Sequence, residues 1–335
     1  MFKTAVIGCG VISHVHIPVL MEMENVHLCA VCDVDPSKKP ELPEDVHFYT
    51  DYEALYEAEK PDVVHILLPH YLHYPVSRYF AERGVHVFCE KPAALNGDQL
   101  EEFIQLEEDH PELKIGICFQ NRFNDTTIQL KKLLDSGKFG RIQNLFALNP
   151  WARDQAYYDA GPWRGDFQLS GGGCMINQAI HLIDLMGLLC GPVKSLKGTA
   201  LNLMELSTDV EDTAVCRMEF ENGARGIFFA TNANGYNNGP ILEVKTDQAV
   251  FVIDSRRLYR QYEKGNRELI CSDEALAGEK FYYGSSHGRL IGKFYRAIEE
   301  NTDDYVHVRD AQLSNRVIDA VFLSGKTGET VSLQA

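Results

Sequence analysis

The first third of the chain alternates short, uniformly apolar runs with stretches of helical periodicity. That alternation constrains the fold more than any other feature. The apolar runs are KTAVIG, HLCAVCD, DVVHILL, VHVFCE and KIGICF. Between them, HVHIPVLMEM, DYEALYEAE, HYPVSRYFAERG and NGDQLEEFIQLEEDH place apolar residues at helical spacing. A strand that is apolar throughout must be covered on both faces, and alternation with helices supplies that cover in a parallel sheet. The expectation for residues 1–122 is an α/β domain, a doubly wound parallel sheet with right-handed crossovers.

After Arg122 the pattern changes. TTIQLKKLLDSGKFG reads as a helix stopped by glycine, and IQNLFALNPWA as a strand. A turn-rich aromatic segment runs from Trp151 to Gly173, and MINQAIHLIDLMGLLCG returns to helical spacing. From Val193 to about Ile270 strands follow one another, with Asn222-Gly223 as a hairpin signal. Strands joined by tight turns make an antiparallel sheet. HGRLIGKFYRAIEEN and AQLSNRVIDAVFLSG close the chain as helices. The expectation is a second domain over 123–335, of α+β type. No low-complexity linker separates the two, so a close interface with a site in the cleft is expected. At 335 residues, two domains is the ordinary count.

The formal net charge is −16. Lysine and arginine neutralising phosphates are the basis of non-specific nucleic-acid binding, and this chain has the opposite balance. The same argument excludes an anionic membrane surface as partner. No stretch of about 18 apolar residues stands out, so no membrane span is expected. The N-terminal MFKTAVIGCG lacks the pattern of a signal peptide. Nine cysteines, mostly inside apolar elements, read as free thiols of a reducing cytoplasm. Cys29 and Cys32 lie on opposite faces of one strand, which disfavours a redox pair or shared metal.

Three motifs carry chemistry. Gly8-Cys9-Gly10-Val11-Ile12-Ser13 follows the first strand and opens the first helix. Such glycines serve a plain turn, or they let backbone approach a pyrophosphate at a helix N-terminus. Asp33 ends the second strand, where an acid accepts the ribose hydroxyls of NAD and repels the 2′-phosphate of NADP. Asp35 is either a second contact or a turn residue, and Lys38 and Lys39 lie just beyond. Glu90-Lys91-Pro92 sits at the carboxyl end of a parallel strand, the ligand edge of such sheets. Lys91 is there either a surface partner of Glu90 or a proton-handling group. Gly171-Gly172-Gly173 precedes a helix that carries Asn177, His181 and Asp184. Asn177 and His181 are four apart and share a face of an α-helix. His181 reads as a satisfied core histidine or as an acid/base, with Asp184 to orient it. No third ligand makes a metal site of His181 and Asp184.

These motifs, in this order, resemble the Gfo/Idh/MocA oxidoreductase family (glucose–fructose oxidoreductase, inositol dehydrogenase and relatives). AVIGCGVIS is similar to its cofactor loop, and PHYLHYPVSRYFAERGVHVFCEKPAAL to its run through the E-K-P signature. GICFQNRFN, GGGCMINQAIHLIDL and FLSGKTGETVSL resemble further family segments. The resemblance implies an N-terminal Rossmann domain and a C-terminal domain with a large, mostly antiparallel open sheet. It implies hydride transfer between nicotinamide and a carbinol carbon of a sugar, cyclitol or derivative, with no metal. Lys91 and His181 match the family's catalytic residues. Asn177 stands where the family often has Asp, which leaves it a substrate-orienting role. Gly8, Gly10, Val11, Ile12, Asp33, Pro69, His70, His73, Glu90, Lys91 and Gln120 are the implied cofactor contacts, and NAD is favoured over NADP. The segment from Trp151 to Gly173 resembles relatives acting on sugar nucleotides and amino-sugar acids. Arg153, Tyr158, Trp163 and Arg164, with Trp151 and Tyr157 beside them, would supply aromatic platforms and cationic donors; a packed loop at the domain interface is the plainer reading. The resemblance also implies a homodimer or homotetramer formed through the C-terminal sheet. A non-catalytic sugar or nucleotide sensor and an NADPH-dependent keto-sugar reductase are the competing readings. The enzyme reading requires that Lys91 and His181 converge on one nicotinamide.

Overall fold

The structure, a computed structural model, describes residues 1–274 and 286–333. The chain forms two compact units. One holds Met1–Phe119 and His287–Ala311, the other Gln120–Ser286 and Gln312–Ala335.

The first unit is built on six parallel strands: β1 (Phe2–Ile7), β2 (Val26–Cys32), β3 (His47–Tyr49), β4 (Val63–Ile66), β5 (His86–Cys89) and β6 (Ile115–Ile117). Their order in the sheet is β3-β2-β1-β4-β5-β6. Helices α1 (Ser13–Glu22), α2 (Tyr52–Glu59), α3 (His70–Ala81) and α4 (Gly97–Asp109) make the crossovers. Central strands are apolar throughout because both faces are covered; Val63, Val64, His65 and Ile66 of β4 are all buried. The expected strands all form. β3 is an addition, a three-residue edge strand too short and too exposed to show a pattern in sequence.

The sequence pattern predicts a single division after Arg122. The structure divides after Phe119 and returns His287–Ala311, with nearly all of the helix Ser286–Glu300, to the first unit. The reason is packing. Leu290, Ile291, Phe294 and Tyr295 of that helix are fully buried. The Phe294 ring lies 5.1 Å from that of Phe88 on β5. It also sits where Gly116 of β6 has no side chain, since a Cβ there would come within 2.7 Å of it.

The second unit begins with α5 (Asp125–Asp135) and β7 (Ile142–Pro150). Short helices α6 (Gln155–Asp159) and α7 (Phe167–Ser170) precede α8 (Ile180–Cys190). Then come β8 (Val193–Leu201), β9 (Thr213–Phe220), β10 (Arg225–Thr231), β11 (Ile241–Thr246), β12 (Val250–Asp254), β13 (Arg257–Gln261) and β14 (Arg267–Ser272). In chain order α9 is the helix of the first unit just described; α10 (Gln312–Thr327) and β15 (Val331–Ser332) complete the second unit. The nine strands pair in the order β14-β13-β12-β11-β7-β10-β9-β8-β15. Only β7 and β10 pair in parallel. Gly223, at φ +86°, turns β9 into β10 at the expected Asn-Gly hairpin. Residues of β9 alternate buried and exposed, the mark of a sheet covered on one face. Packing on that covered face comes from α5, α8 and α10.

Helical segment Phe167–Cys190 passes a length-and-composition test for a membrane span, but 78% of its apolar window is buried inside the protein. All nine cysteines are free thiols. Cys29 and Cys32 make no pair, and burial pushes both thiols up to about 12.

Removing the Phe294 ring leaves a cavity under the sheet. Phe294→Ala is expected to cost about 3–5 kcal/mol. Gly116→Ala, which overpacks the same contact, should cost about 1–3 kcal/mol. Urea denaturation followed by far-UV circular dichroism checks both.

Candidate active site

In the first unit, neighbouring parallel strands end level with one another. Ile7 is in register with Cys32 on one side and Ile66 on the other, and Ile66 with Cys89. The residues that follow therefore form one row along the carboxyl edge. Strand order reverses direction at β1 and β4, the switch point where open α/β sheets bind ligands. Gly8 adopts φ +106°, and a Cβ on it would lie 2.4 Å from the Leu67 carbonyl oxygen. Only glycine lets the two loops meet this closely. A Cβ on Gly10 would meet nothing within 4 Å. Helix α1 starts at Ser13 with no side chain capping it, and Val11 is exposed while Ile12 takes the cap position. Uncapped N–H groups under an open backbone suit a phosphate.

Asp33 is buried and held by two backbone groups: Cys9 N–H donates to Oδ2 at 2.9 Å and Asp35 N–H to Oδ1 at 3.0 Å. Lys38 Nζ stands 3.6 Å from Oδ1. Asp35 accepts from Ser37 N–H and caps a short 3-10 turn, so it is a turn residue. Lys39 is exposed. These residues fit the adenosine side of NAD, with the Asp33 carboxylate aimed by fixed donors.

Pro69 caps α3, and His70 is buried with its ring centroid 5.8 Å from that of His73. His73 is almost fully buried. Its Nδ1 lies 2.7 Å from the Pro92 carbonyl and its Nε2 2.8 Å from that of Leu68. Burial pushes the ring below its ordinary value although both carbonyls pull the other way. His73 thus ties the loop after β4 to the loop after β5. Lys91 is half-buried, joined to Pro92 by a cis peptide, and its N–H donates to the Glu90 carboxylate at 3.2 Å.

The second unit carries the other cluster. A Cβ on Gly173 would sit 1.8 Å from the Glu211 carbonyl oxygen, so the glycine run exists to pass over Glu211. The Glu211 carboxylate accepts from Gly173 N–H at 2.7 Å and Met175 N–H at 2.9 Å. The next turn, Met175–Ala179, is a π-helix, and regular α-helix resumes at Ile180. Spacing arguments from an α-helix therefore do not apply at Asn177. Asn177 and His181 take different partners: Asn177 Nδ2 donates to the Tyr157 hydroxyl at 3.1 Å, and His181 Nε2 lies 3.3 Å from Gln120 Nε2. An amide nitrogen only donates, so His181 Nε2 carries the lone pair. Asp184 is buried in a forked pair with Arg122, at 2.6 and 2.9 Å.

Two guanidiniums flank Tyr157, that of Arg153 at 4.9 Å and that of Arg164 at 5.2 Å from the ring centroid. Each also stacks on a tryptophan, Arg153 on Trp151 and Arg164 on Trp163. Trp151 and Tyr158 are buried, whereas Tyr157, Arg153, Trp163 and Arg164 are partly exposed. Tyr158 accepts from Asn232 at 3.2 Å, and burial pushes its hydroxyl up to about 12. Packing claims Trp151 and Tyr158; the other four are half-buried, and Arg153 Nη1 donates to the Ala152 carbonyl at 2.7 Å and to Asn237 Oδ1 at 2.8 Å.

The NAD-binding Rossmann-fold domain of the oxidoreductase family matches residues 2–115, and the GFO/IDH/MocA C-terminal domain matches residues 127–252. The chain belongs to the Gfo/Idh/MocA family. Its first unit is an NAD-binding domain and the protein an NAD-binding oxidoreductase. D-glucoside 3-dehydrogenase of Escherichia coli strain K12 is 26% identical over 360 residues, which span 99% of this chain and 97% of the relative. An inositol 2-dehydrogenase/D-chiro-inositol 3-dehydrogenase of Lactiplantibacillus plantarum is 28% identical over 189 residues, 55% of this chain and 51% of the relative. The WlbA dehydrogenase of Chromobacterium violaceum, solved with NADH and UDP-GlcNAcA, shares the fold at a TM-score of 0.82 and 26% identity, over 99% of this chain and 96% of that one.

Sequence reasoning missed three residues of this candidate site, Glu211, Gln178 and Asn232, and the contact between Gln120 and His181. Gln178 Nε2 also donates to Tyr157, and Asn232 donates to Gln178. Their only sequence signal is a polar residue at an otherwise apolar position, such as the Glu211-Asp212 pair leading into β9.

Burial raises the Glu211 carboxyl to about 7, and the N–H donors of Met175 and Gly173 offset only part of that rise. The folded value lies above the unfolded one of 4.5, so proton binding favours the fold. Stability is expected to fall through this group as pH rises from 4.5 to about 7, then level off. Glu211→Gln should flatten that slope in denaturation curves taken across the range.

Proposed function

We propose that the protein is an NAD-dependent dehydrogenase of a sugar, cyclitol or sugar derivative, in which Lys91 and His181 handle the proton of the reacting hydroxyl. The observation that carries the reading is the state of His181. It is a buried imidazole whose Nε2 lone pair is held by a neutral amide, in a chain that also presents Lys91 at the nucleotide edge of its Rossmann sheet. The sugar and cyclitol dehydrogenases among its relatives support the substrate class.

When bound, NAD accepts or returns the hydride at its nicotinamide ring. Gly8, Gly10 and the start of α1, which no side chain caps, bind the pyrophosphate, and Asp33 accepts the ribose hydroxyls. Lys38 is the one feature that favours NADP, and the anchored Asp33 anion beside it opposes a 2′-phosphate. In the oxidative direction, the substrate hydroxyl replaces the Gln120 amide at His181 Nε2, which takes the hydroxyl proton while the Lys91 ammonium donates a hydrogen bond to the same oxygen and stabilises the developing alkoxide. Asn177 orients the substrate. Among the described residues neither Arg153 nor Arg164 makes an ion pair, and the Tyr157 ring sits in a frame of two guanidiniums. The frame suits a carbohydrate carrying a carboxylate or phosphate, with Trp163 and Tyr157 offering ring faces to the sugar.

The uncovered face of the nine-stranded sheet exposes apolar side chains in a charged surround: Phe146, Val215 and Ile227, with Ile227 and Phe146 in register on adjacent strands. We infer that this face pairs with a second copy to give a homodimer or homotetramer. Nine free thiols suit a reducing cytoplasm.

Lys91→Met and His181→Asn should each lower kcat by about 10²–10⁴ on an active sugar substrate. NADH affinity, read by fluorescence titration, should stay within about threefold, below the tenfold that ~1.4 kcal/mol represents. Turnover near wild type in either variant removes that residue from the reaction. Asp33→Ala should weaken NAD roughly tenfold, the worth of ~1.4 kcal/mol, while NADP gains. Ile227→Glu should shift the protein to monomer in sedimentation velocity; an unchanged species overturns the sheet-face assembly.

A further inference from the structure

Under the nucleotide edge of the first unit runs a line of buried polar groups that the reaction above does not use. It starts at Glu90, at the end of β5. His16 Nε2 of α1 lies 3.0 Å from Glu90 Oε1, and His16 Nδ1 lies 3.0 Å from His65 Nδ1 on β4. His65 Nε2 lies 3.1 Å from the Tyr295 hydroxyl on α9, which lies 2.9 Å from Thr4 Oγ1 on β1. Thr4, His16, His65 and Tyr295 are completely buried and Glu90 nearly so. Four polar side chains sunk into an apolar sheet are costly unless each finds a partner.

Here each does. His16 donates to the Glu90 carboxylate from Nε2. The two Nδ1 atoms face each other, so one ring donates and the other accepts. Either polarity runs without a gap to Thr4, which has the Phe2 carbonyl at 3.4 Å as a last acceptor. Burial holds the His65 ring well below its ordinary value, so it serves as a neutral link. Burial also pushes Glu90 up, but the His16 hydrogen bond and the charges of His16, His287 and Lys91 outweigh it, and its carboxyl lies well below the usual range. Glu90 Oε2 is the acceptor for the Lys91 N–H.

We propose that His16, His65 and Tyr295 are positioning residues for the reaction, a buried hydrogen-bonded line that fixes the Glu90 carboxylate beside Lys91 and so keeps the lysine an ammonium donor. The proposal rests on the role given to Lys91 above. The titratable groups facing Glu90 are His16 from α1, His65 from β4, His73 from α3, Cys89 from β5, His287 from α9, Cys118 after β6, and Lys91 itself. Of these, His16 lies 3.0 Å from Glu90 Oε1 and is also bonded onward to a second buried element. Four of these donor atoms, those of His16, Glu90, Cys118 and His287, lie within 4.8 Å of one another, a spacing that a divalent cation also accepts. The hydrogen-bonded reading is favoured because the His16–Glu90 contact and every link behind it already balance donor against acceptor.

Tyr295→Phe, His16→Leu and His16→Gln test the proposal in the full-length enzyme with NAD and an active sugar. His16→Leu should lower kcat about tenfold and move the alkaline limb of the pH–kcat profile down by about one unit, with the KM for NAD within about twofold. Tyr295→Phe, which keeps its ring and should fold, should move the same limb in the same direction by less. His16→Gln, which restores a donor to Glu90, should recover part of the loss. Unmoved alkaline limbs in folded Tyr295→Phe and His16→Leu overturn the proposal. So does about one equivalent of zinc in the purified protein, or a cobalt(II)–thiolate absorption band that Cys118→Ser abolishes. If Lys91→Met is inactive while the limbs stay put, only the buried line fails. If Lys91→Met is fully active, the parent reading fails whatever the limbs do.

Discussion

The parallel ladder of the first unit does not stop where its strands stop. Gly8 N–H donates to the Cys32 carbonyl at 2.7 Å, Leu67 N–H to Ile7 at 2.8 Å, Glu90 N–H to Ile66 at 3.0 Å and Cys118 N–H to Cys89 at 2.8 Å. Each strand therefore hands its first loop residue a backbone bond from its neighbour. Gly8, Gly10, Asp33, Pro69, His70, Glu90 and Lys91 all lie within three residues of such a bond. The bonds contribute about 1 kcal/mol apiece, but their larger effect is geometric. Loops that would otherwise sample many conformations begin from fixed positions, and His73 then joins two of them through the Leu68 and Pro92 carbonyls.

The second unit solves the same problem with a helix start. Glu211 accepts the first N–H groups of the segment leading into α8, as a capping side chain does at an ordinary helix. The glycines allow the approach. The π-turn that follows, a feature common at functional sites, rotates Asn177 toward Tyr157, while His181 meets Gln120.

Much of this was legible in the sequence. Strands buried on both faces leave continuous apolar runs, so β1, β2, β4, β5 and β6 could be read directly, and the Asn222-Gly223 turn announced its hairpin. β3 left no trace because three half-exposed residues carry no period. The allegiance of α9 was hidden for a different reason. An amphipathic pattern tells which face of a helix is buried, never against what, and the partner here is marked only by the missing side chain of Gly116. Among the site residues, Gly8, Asp33, Lys91 and His181 stood out by motif. Glu211 and the His16–His65–Tyr295 line did not, since a histidine inside DVVHILL reads as an interruption of a strand, and its partners are distant in sequence. Asp184 illustrates the same limit: its forked pair with Arg122 joins residues distant in sequence.

Two carboxylates held by nitrogen donors stand near the two groups that the proposed reaction uses, buried Glu90 bonded to His16, one residue before Lys91, and buried Asp184 paired with Arg122, three residues after His181. Buried pairs are weak stabilisers, because desolvation consumes most of the Coulombic gain. Breaking one is nevertheless expensive, since it strands a charge away from water. The asymmetry explains why such pairs belong here. They add little to the depth of the native basin but raise the cost of every conformation in which β5 or α8 shifts against the element holding the partner. A lysine and an imidazole whose chemistry depends on sub-ångström placement gain more from that penalty on displacement than from additional apolar packing, which tolerates small slides.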